Sequence, residues 1–351
     1  MIAISVLTLV PGEVGGSETA TRGLLRGLAA RGPSDLIVFA PPVARDAGEG
    51  LPTMVVDEYR QARTVPERFV AMALAAAKPA PIRRRFGDVE AVHYPLTVPL
   101  PSLDVPTAVT LHDVQHLDLP RLSSAATRAF RRFAYDRAAR HADAVIVPST
   151  FVRERAVAAL GLDPTRVRVI HHGIDHDLFR ASDEKSQARD PFLLYPAKAW
   201  PHKNHARLLE AFALLRRERP ELRLVLTGGG VAPRDGVEQL GRVPLERLAG
   251  LYRRASALVF PSLYEGFGQP PLEAMASGCP VACSNAASLP EVCGDAARLF
   301  DPNSPEEIAA AVEEVLDDPD PWRTRGLERA AAFTWDASAQ AHEAVYRELL
   351  A

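Results

Sequence analysis

The stretch ASALVFPSLYEGFGQPPLEAMASGCPVACS, residues 255–284, decides the fold of this chain. Its apolar run from Leu258 predicts a buried strand, and Val281 begins a second one. Pro270 and Pro271 suit the first turn of a helix, and Gly278 suits the cap at its C-terminus. A strand, a loop, a helix and another strand follow one another, which is the repeating unit of a parallel α/β sheet.

The loop and the helix start within this stretch have the composition of a ligand site. Gly266 and Gly268 let the backbone approach a ligand closely, and free amides at a helix start attract anions. Glu265 stands on the loop and Glu273 lies one turn into the helix. A backbone that attracts phosphate beside two carboxylates suits a ligand with both phosphates and hydroxyls, such as a sugar nucleotide.

Two glutamates eight positions apart around FGQPPLEAMA, followed by GCPV, resemble the signature of glycosyltransferase family 4. The resemblance implies the GT-B fold, an α/β architecture of two Rossmann-like domains facing across a cleft, and sugar transfer with retention of configuration. It also implies that Glu265 contacts hydroxyls of the transferred sugar and that Glu273 contacts the nucleotide ribose. Backbone amides around Phe267, Gly268 and Gln269 would hold the sugar and the phosphate.

Length and charge narrow the class of protein. A chain of 351 residues exceeds the size at which one core usually keeps growing, so two domains are expected. A net charge of −3 gives no overall attraction to nucleic acid. Two local basic runs, PIRRRFGD at 81–88 and TRAFRRFAYDRAARHAD at 127–143, are typical of solvated helix faces. Docking to an anionic membrane or to a lipid-linked acceptor is the alternative reading.

The cysteines and the N-terminus favour a cytoplasmic protein, with the inner face of the membrane left open as its location. Three cysteines form neither a disulfide framework nor a zinc set, so buried thiols are expected at Cys279, Cys283 and Cys293. The apolar run IAISVLTLV at 2–10 is too short to span a bilayer and predicts a first core strand.

Apolar strand patterns alternate with helical patterns along the whole chain, which predicts parallel sheets. The polar segment from Gly173 to Pro191 interrupts the alternation and is interpreted as a connector. The expected domains are residues 1–172 and 173–336. By resemblance, a last helix at 337–351 returns to the first domain.

Lys198 and Lys203 follow the strand FLLYPA and could both stabilise the charge that develops on one diphosphate. Family 4 members usually carry arginine at the first of these positions, so Lys198 departs from the pattern and supplies a point charge only. Asn204 is expected to cap the following helix.

Gly15 and Gly16, in GEVGGSE, open the first long helix with Ser17 as the expected N-cap. By resemblance this loop faces the donor diphosphate, and a simple tight turn is the alternative. The glycine spacing is not a dinucleotide fingerprint, which argues against a dehydrogenase.

His112 and Asp113 end the strand TAVTL, and by resemblance His112 lines the sugar site. His116 is as consistent with a structural role, and His171 and His172 are interpreted as structural. No metal site is expected from this cluster.

The nucleotide base is expected near Arg242 and Val243, with glycines 228–230 permitting a close approach. This assignment follows from the resemblance, and ordinary strand-end turns are the alternative.

The sequence therefore predicts a glycosyltransferase that moves a hexose from a nucleotide diphosphate donor to an acceptor hydroxyl. The resemblance implies that the transfer retains configuration and needs no metal ion. TLHDVQHLDLP at 110–120 and LLYPAKAWPHKNH at 193–205 look most like bacterial mannosyltransferase-type members, so GDP-mannose is the first expectation for the donor. A UDP- or dTDP-sugar remains open, as does a carbohydrate, lipid-linked or small-molecule acceptor. The alternatives are a glycoside hydrolase that uses Glu265 and Glu273, or a sugar-nucleotide-binding protein without turnover.

Overall fold

The computed structural model describes residues 1–32, 35–182, 189–230 and 232–351. The chain divides into two compact units. The first contains Met1–Gly173 and Trp335–Ala351, and the second contains Ile174–Thr334. The chain enters the second unit one residue later than the predicted boundary and leaves it two residues earlier. Residues 183–188 of the expected connector lie outside the described part of the chain.

The first unit is built on a seven-stranded sheet in the order β3-β2-β1-β4-β5-β6-β7, and all its strand pairs are parallel. β3 is a short edge strand that the sequence did not predict, because only three apolar residues, Met54 to Val56, follow one another there. The strands are β1 Ile2–Ser5, β2 Leu36–Ala40, β3 Thr53–Val55, β4 Ala91–Tyr94, β5 Thr107–Thr110, β6 Ala144–Val147 and β7 Val167–Val169.

Helices cover both faces of this sheet. They are α1 Gly16–Ala30, α2 Val65–Ala77, α3 Ala80–Phe86, α4 Gln115–Asp118, α5 Ala125–Arg131, α6 Arg137–His141, α7 Thr150–Leu160 and, from the end of the chain, α14 Trp335–Leu350. A π-helical turn, Arg132–Asp136, joins α5 to α6.

The apolar core divides between the two faces. α1 and α14 share the core on one face, whereas α2, α3, α6 and α7 share the core on the other. α1 and α14 pack closely because Gly23 and Gly27 leave room for Trp335. A Cβ on Gly23 would stand 2.2 Å from the Trp335 ring. The apolar side chains of the expected first strand continue past β1 as a buried loop to Val10.

The second unit contains a six-stranded parallel sheet in the order β10-β9-β8-β11-β12-β13. The strands are β8 Asp190–Pro196, β9 Arg223–Thr227, β10 Val237–Gly241, β11 Ala255–Phe260, β12 Val281–Ser284 and β13 Arg298–Phe300. The helices are α8 His205–Glu218, α9 Leu245–Arg254, α10 Gln269–Ala276, α11 Leu289–Cys293, α12 Pro305–Asp317 and α13 Pro319–Ala331.

The stretch 255–284 folds as its sequence predicts. It forms β11, a loop, α10 with prolines in its first turn, and β12. Gly278 follows the helix with a φ of 69°, the left-handed conformation that a helix end favours. The predicted architecture of two Rossmann-like α/β domains is confirmed by both sheets.

The cysteines Cys279, Cys283 and Cys293 are buried free thiols, as predicted. In the described part of the chain, no helix is both long enough and apolar enough to cross a bilayer.

Candidate functional site

The strand order of the second unit locates its site. From β8 the chain continues to β9 on one side, while β11 lies on the other side, so the order reverses between β8 and β11. Open parallel sheets bind ligands at the carboxyl ends of the strands beside such a reversal. Lys203 follows β8 and Glu265 follows β11, so both lie at this point.

Lys203 and Glu265 form an ion pair at this edge. The Nζ of Lys203 lies 2.6 Å from the Oε1 of Glu265, and each side chain is 14% exposed. The ammonium also lies 5.5 Å from the ring centroid of Phe260, the last residue of β11. The hydroxyl of Tyr195 donates to the carbonyl of Lys203 at 2.6 Å and so holds the turn that carries Lys203. The structure thus brings together the predicted sugar-binding acid and one predicted phosphate-binding cation.

Asn204 does not cap α8 with its side chain, which corrects the sequence prediction. It occupies the N-cap position in a left-handed conformation, with a φ of 58°, and makes no side-chain cap hydrogen bond. Its amide instead donates to the carbonyls of Pro261 and Pro302 at 3.1 and 2.7 Å. Asn204 therefore ties together the loops that follow β11 and β13, which steadies the turn that carries Lys203.

The loop between β11 and α10 is held in one conformation by its neighbours. Gly268 has a φ of 108°, and a Cβ there would stand 2.6 Å from the Cδ2 of Leu289. The buried hydroxyl of Ser288 lies 2.9 and 2.7 Å from the carbonyl oxygens of Glu265 and Phe267. The Phe267 ring packs edge-on against Phe333, with the ring centroids 5.8 Å apart. The loop is preformed, and the phenyl ring of Phe267 belongs to the core.

The start of α10 offers fewer amide donors than the sequence predicts. The helix begins at Gln269 with Gly268 as N-cap, and Pro270 and Pro271 are its second and third residues. Because proline has no N–H, Gln269 alone among these three residues can donate to an anion. An anion at this helix start would therefore depend on the nearby Lys203 as much as on the backbone.

Glu273 has a different environment from Glu265. It is only 6% exposed, and the hydroxyl of Tyr252 on α9 donates to its Oε2 at 3.0 Å. Desolvation raises the pKa of Glu273 from 4.5 to about 7, against the opposing effect of the Tyr252 hydrogen bond. Within the described chain the Glu273 carboxyl bonds to Tyr252 and not to Lys203. Its contact with a ribose stays a prediction.

The other residues that were predicted to bind the sugar nucleotide lie at the ends of β8, β9 and β10. The Lys198 ammonium lies 5.5 Å from the ring centroid of Trp200. The amide of Gly228 donates to the carbonyl of Gly241 at 2.7 Å, directly before Arg242. A Cβ on Gly228 would stand 2.8 Å from the backbone of Ala197, so glycine is needed for this close approach.

Arg242 is exposed and Val243 is half-buried on the loop that leads to α9. A nucleotide base at these residues stays a prediction, as does a diphosphate shared by Lys198 and Lys203.

In the first unit, His112 lies at the carboxyl end of β5. Its Nε2 is 2.8 Å from the carbonyl oxygen of Pro95. A carbonyl can only accept, so Nε2 carries the proton and Nδ1 is an acceptor in the neutral ring. Desolvation lowers the pKa of His112, and the ring of His172 packs edge-on with its centroid 5.8 Å away. A neutral imidazole at this position can accept a hydrogen bond from a sugar hydroxyl.

The loop before α1 corrects one expectation about its cap. Gly15 is the N-cap, with a φ of 63° and a ψ of −135°, and Ser17 lies inside the helix. The Oε2 of Glu18 instead accepts from the amide of Gly12 at 2.6 Å. A Cβ on Gly16 would meet no atom within 4 Å, so the backbone at Gly16 is open to a ligand.

His116 has a structural role rather than a binding one. It is buried, and its Nε2 lies 2.9 Å from the Oδ1 of Asp136 in the π-helical turn. His172 stacks on Trp335 with the ring centroids 6.1 Å apart, which fits the structural interpretation. The described residues contain no group of three or more His, Cys, Asp or Glu side chains arranged to hold a metal ion.

Comparison with known proteins agrees with this geometry. The model described as "Glycosyltransferase Family 4" matches residues 14–178, and the model "Glycosyl transferases group 1" matches residues 179–332. The chain belongs to the family 4 glycosyltransferases.

Curated relatives of this family 4 chain include mannosyltransferases. O-antigen chain mannosyltransferase B of Escherichia coli is 42% identical over 163 residues, which cover 41% of this chain and 42% of the relative. The MMP alpha-(1->4)-mannosyltransferase of Mycolicibacterium hassiacum is 32% identical over 233 residues, which cover 61% of this chain and 56% of the relative. The match thus spans about half the length of these relatives.

A solved structure of similar fold covers nearly the whole chain. Sucrose-phosphate synthase from Thermosynechococcus elongatus superposes with a TM-score of 0.78 at 23% identity, over 99% of this chain and 98% of the other. The GT-B fold that the sequence resemblance implied is confirmed.

Two residues of the site, Ser288 and Tyr252, were not predicted from the sequence. Ser288 follows β12, so the rule that polar residues after strands meet at one edge could have found it. Tyr252 carried no such signal, because its position in an amphipathic helix is typical of a core residue. Only the packing of α9 against α10 reveals its contact with Glu273.

Proposed function

We propose that the protein is a retaining glycosyltransferase that moves mannose from GDP-mannose to an acceptor hydroxyl in glycan biosynthesis. The family and the mannosyltransferase relatives support the reaction class and the sugar. Guanine is the least supported part of the donor, and a UDP- or dTDP-sugar is the alternative. The acceptor is a carbohydrate, a lipid-linked sugar or a small molecule, and we place the reaction in the cytoplasm.

The observation that carries the proposal is the Lys203–Glu265 pair at the strand reversal. An ammonium group has three N–H donors. Lys203 can therefore hold the Glu265 carboxylate and a diphosphate oxygen at the same time. The Glu265 carboxylate still has lone pairs that can accept hydrogen bonds from sugar hydroxyls. Glu265 therefore orients the sugar, and Lys203 binds the leaving group.

The proposed chemistry is a displacement on one face of the sugar ring. The bond from C1 to the diphosphate oxygen breaks, and the electron pair leaves with the nucleoside diphosphate. The acceptor oxygen forms the new bond to C1 from the same face, and its proton passes to the departing phosphate oxygen. Lys203 stabilises the charge that develops on the diphosphate, which is where a fixed cation has most effect.

We assign a positioning role to the first unit. With its proton held on Nε2 by Pro95, His112 would accept a hydroxyl of the transferred sugar at Nδ1. The loop at Gly15 and Gly16 would let a phosphate or the acceptor lie against the backbone. None of these roles requires a metal ion, and an assay in the presence of a chelator tests that part of the proposal.

A glycoside hydrolase is less consistent with the surroundings of the two acids. Hydrolysis of that kind needs two carboxyl groups flanking one glycosidic bond. Glu265 is paired with a lysine, while Glu273 is buried against Tyr252. A binding protein without turnover would be stabilised by the donor yet form no product, so a product assay separates it from the transferase.

Replacing Lys203 tests the proposal. Lys203→Ala should lower turnover at saturating donor on the order of 10²–10³, as loss of one charge-stabilising donor does elsewhere. The matched control is Lys78→Ala, an exposed lysine of the first unit, which should keep wild-type turnover with a soluble acceptor. A Lys203→Ala enzyme with nearly full turnover would contradict the assigned role.

A thermal-shift screen of GDP, UDP and dTDP and their mannose and glucose derivatives identifies the donor. A ligand at 100 times its dissociation constant should stabilise the protein by roughly 2.7 kcal/mol. The proposal predicts the largest shift with GDP-mannose. A larger shift with a UDP-sugar would replace the donor assignment while leaving the reaction class intact.

A further inference from the structure

An apolar groove lies in the first unit, on the sheet face opposite α1 and α14. It has a volume of about 880 Å³, within the roughly 300–1,000 Å³ typical of small-molecule sites. One wall is α2 and the other is the segment from α5 through the π-helical turn to α6. Its lining includes Phe69, Met72, Tyr94, Leu100, Phe130 and Phe133.

The groove lies away from the predicted sugar site. Its lining includes Val105, Thr107 and Asp143, which lie at the amino ends of β5 and β6. His112 follows β5 at its carboxyl end. A molecule in the groove would therefore occupy the opposite end of β5 from the reacting sugar, so the groove is suited to anchoring rather than to the transfer step.

The outer face of α2 is apolar where a solvent-facing helix would be polar. Val65, Phe69, Val70 and Leu74 are among the exposed large hydrophobic residues of the chain. Phe133, on the opposite wall, is 72% exposed. Apart from Glu67 in the first turn and the buried Arg68, α2 carries no charged side chain. Clustered exposed apolar side chains of this kind mark an interaction surface.

This surface has a basic rim, of which Arg137 lines the groove itself and the other residues are neighbours of its walls in the chain. Lys78, Arg83 and Arg84 follow the end of α2, while Arg132 and Arg137 flank Phe133. Within the described chain none of these five side chains has an ion-pair partner. The nearby acids include Asp104 and Asp143 in the lining and Glu67 in the first turn of α2. Glu58 pairs with Arg85 and is also attracted to Arg84.

The apolar lining and the cationic rim together indicate what binds at this groove. A second copy of the chain would bring the same cationic rim against itself, which costs free energy. An anionic lipid leaflet offers negative headgroups to the rim and hydrocarbon to the groove. We propose that the groove is a membrane-docking site that inserts Phe133 and the outer face of α2 into an anionic leaflet and holds one lipid hydrocarbon chain.

Flotation of the 351-residue protein with lipid vesicles tests the proposal. The wild type should bind vesicles of phosphatidylglycerol and phosphatidylcholine more tightly than vesicles of phosphatidylcholine alone, and salt should weaken the binding. Phe133→Ser should weaken binding on the order of tenfold, from the loss of a buried aromatic side chain. Arg132→Gln and Arg137→Gln should each weaken it about fivefold, as expected for roughly 1 kcal/mol per charge.

The matched control is Leu350→Ser, which replaces an apolar residue that is 47% exposed at the end of α14. It should bind vesicles like the wild type. Equal losses in Leu350→Ser and Phe133→Ser would overturn the proposal, as would a wild type that does not bind anionic vesicles. A dimer seen by sedimentation and abolished by Phe133→Ser would also overturn it, because a second copy would then cover the groove.

A second readout tests whether hydrocarbon reaches the groove. In Phe133→Trp the new indole should be quenched by lipids brominated in their acyl chains, and the indole of Leu350→Trp should not. Equal quenching of both would contradict insertion at the groove. Flotation and quenching need neither donor nor acceptor, so their outcome is independent of the proposed transferase activity.

Discussion

Glu265 and Glu273 lie eight residues apart in one motif, yet the structure places them in opposite environments. Glu265 stands on a loop at the strand reversal and pairs with Lys203 at 2.6 Å. Glu273 lies one turn into α10, buried, with its pKa raised to about 7 by desolvation. The comparison teaches that the motif supplies one carboxylate that is ion-paired with a lysine and one buried carboxyl with a pKa of about 7. Glu265 should control turnover, and Glu273 should control the pH dependence of stability.

The largest expected effect comes from Glu265→Gln, which removes the charge that faces Lys203. Turnover should fall on the order of 10²–10³, because a preorganised polar contact to the reacting sugar is lost. Steady-state kinetics at saturating donor measure this, and the melting temperature checks that the variant is folded. A turnover within about threefold of wild type, against the scale expected for such a contact, would place the chemistry elsewhere.

Next in size is the pH dependence of stability carried by Glu273. Its pKa is about 7 in the folded state and 4.5 ordinarily, so the folded protein binds the extra proton between these values. Stability from this group is therefore present below pH 4.5 and is lost as the pH rises to about 7. At 1.36 kcal/mol per pKa unit, the total loss is about 3 kcal/mol.

Urea unfolding of the wild type and Glu273→Gln between pH 4.5 and pH 8 measures this effect, the lower limit being the ordinary pKa of the group. The difference between the two unfolding free energies should change across this interval and become flat above it. Parallel profiles for the wild type and Glu273→Gln would show that Glu273 does not titrate in this way.

A smaller effect is expected at Gly268, which shapes the loop that carries Glu265. Gly268→Ala should cost about 1–3 kcal/mol of unfolding free energy, because the backbone is left-handed and the added Cβ meets Leu289. Gly250→Ala is the matched control inside α9, where the nearest atom is 4.0 Å from the added Cβ. That control should gain roughly 0.5–1 kcal/mol from helix propensity. Equal unfolding free energies for the two variants would contradict the strain assigned to Gly268.

The smallest effect is expected for Tyr252→Phe, which removes the hydroxyl that donates to Glu273. The loss of one hydrogen bond should cost about 1 kcal/mol. Because this bond lowers the pKa of Glu273, its removal should move the pH transition of stability upward. Unfolding curves at several pH values report both changes. An unchanged transition would mean that the hydrogen bond does not affect the titration of Glu273.

The regular part of the molecule could be predicted because local signals agree with one another there. Buried apolar runs gave β11 and β12, and proline and glycine positions gave the limits of α10. β3 carries no such signal, because it is a three-residue edge strand that is only partly buried. Its pairing with β2 depends on the sheet that is already formed beside it.

The site could be predicted only where the strand-end rule applies. Lys203 and Glu265 meet because the strands before them are neighbours in the sheet. The roles of Asn204 and Tyr252 depend on partners 57 and 21 residues away. Sequence spacing does not report such contacts, so it could not show that Asn204 occupies the N-cap position of α8 while its side chain binds elsewhere. The small number of backbone N–H donors at the start of α10 could have been predicted from the sequence, because Pro270 and Pro271 lack an N–H.

A double-mutant cycle on turnover tests the central claim most directly, namely that Lys203 and Glu265 act as one unit on an activated sugar. Turnover at saturating donor is measured for the wild type, Lys203→Ala, Glu265→Gln and the double variant. Residues that act as a unit are strongly non-additive, so the double variant should be about as slow as the slower single variant. If the two losses multiply instead, the residues act independently and the account is contradicted.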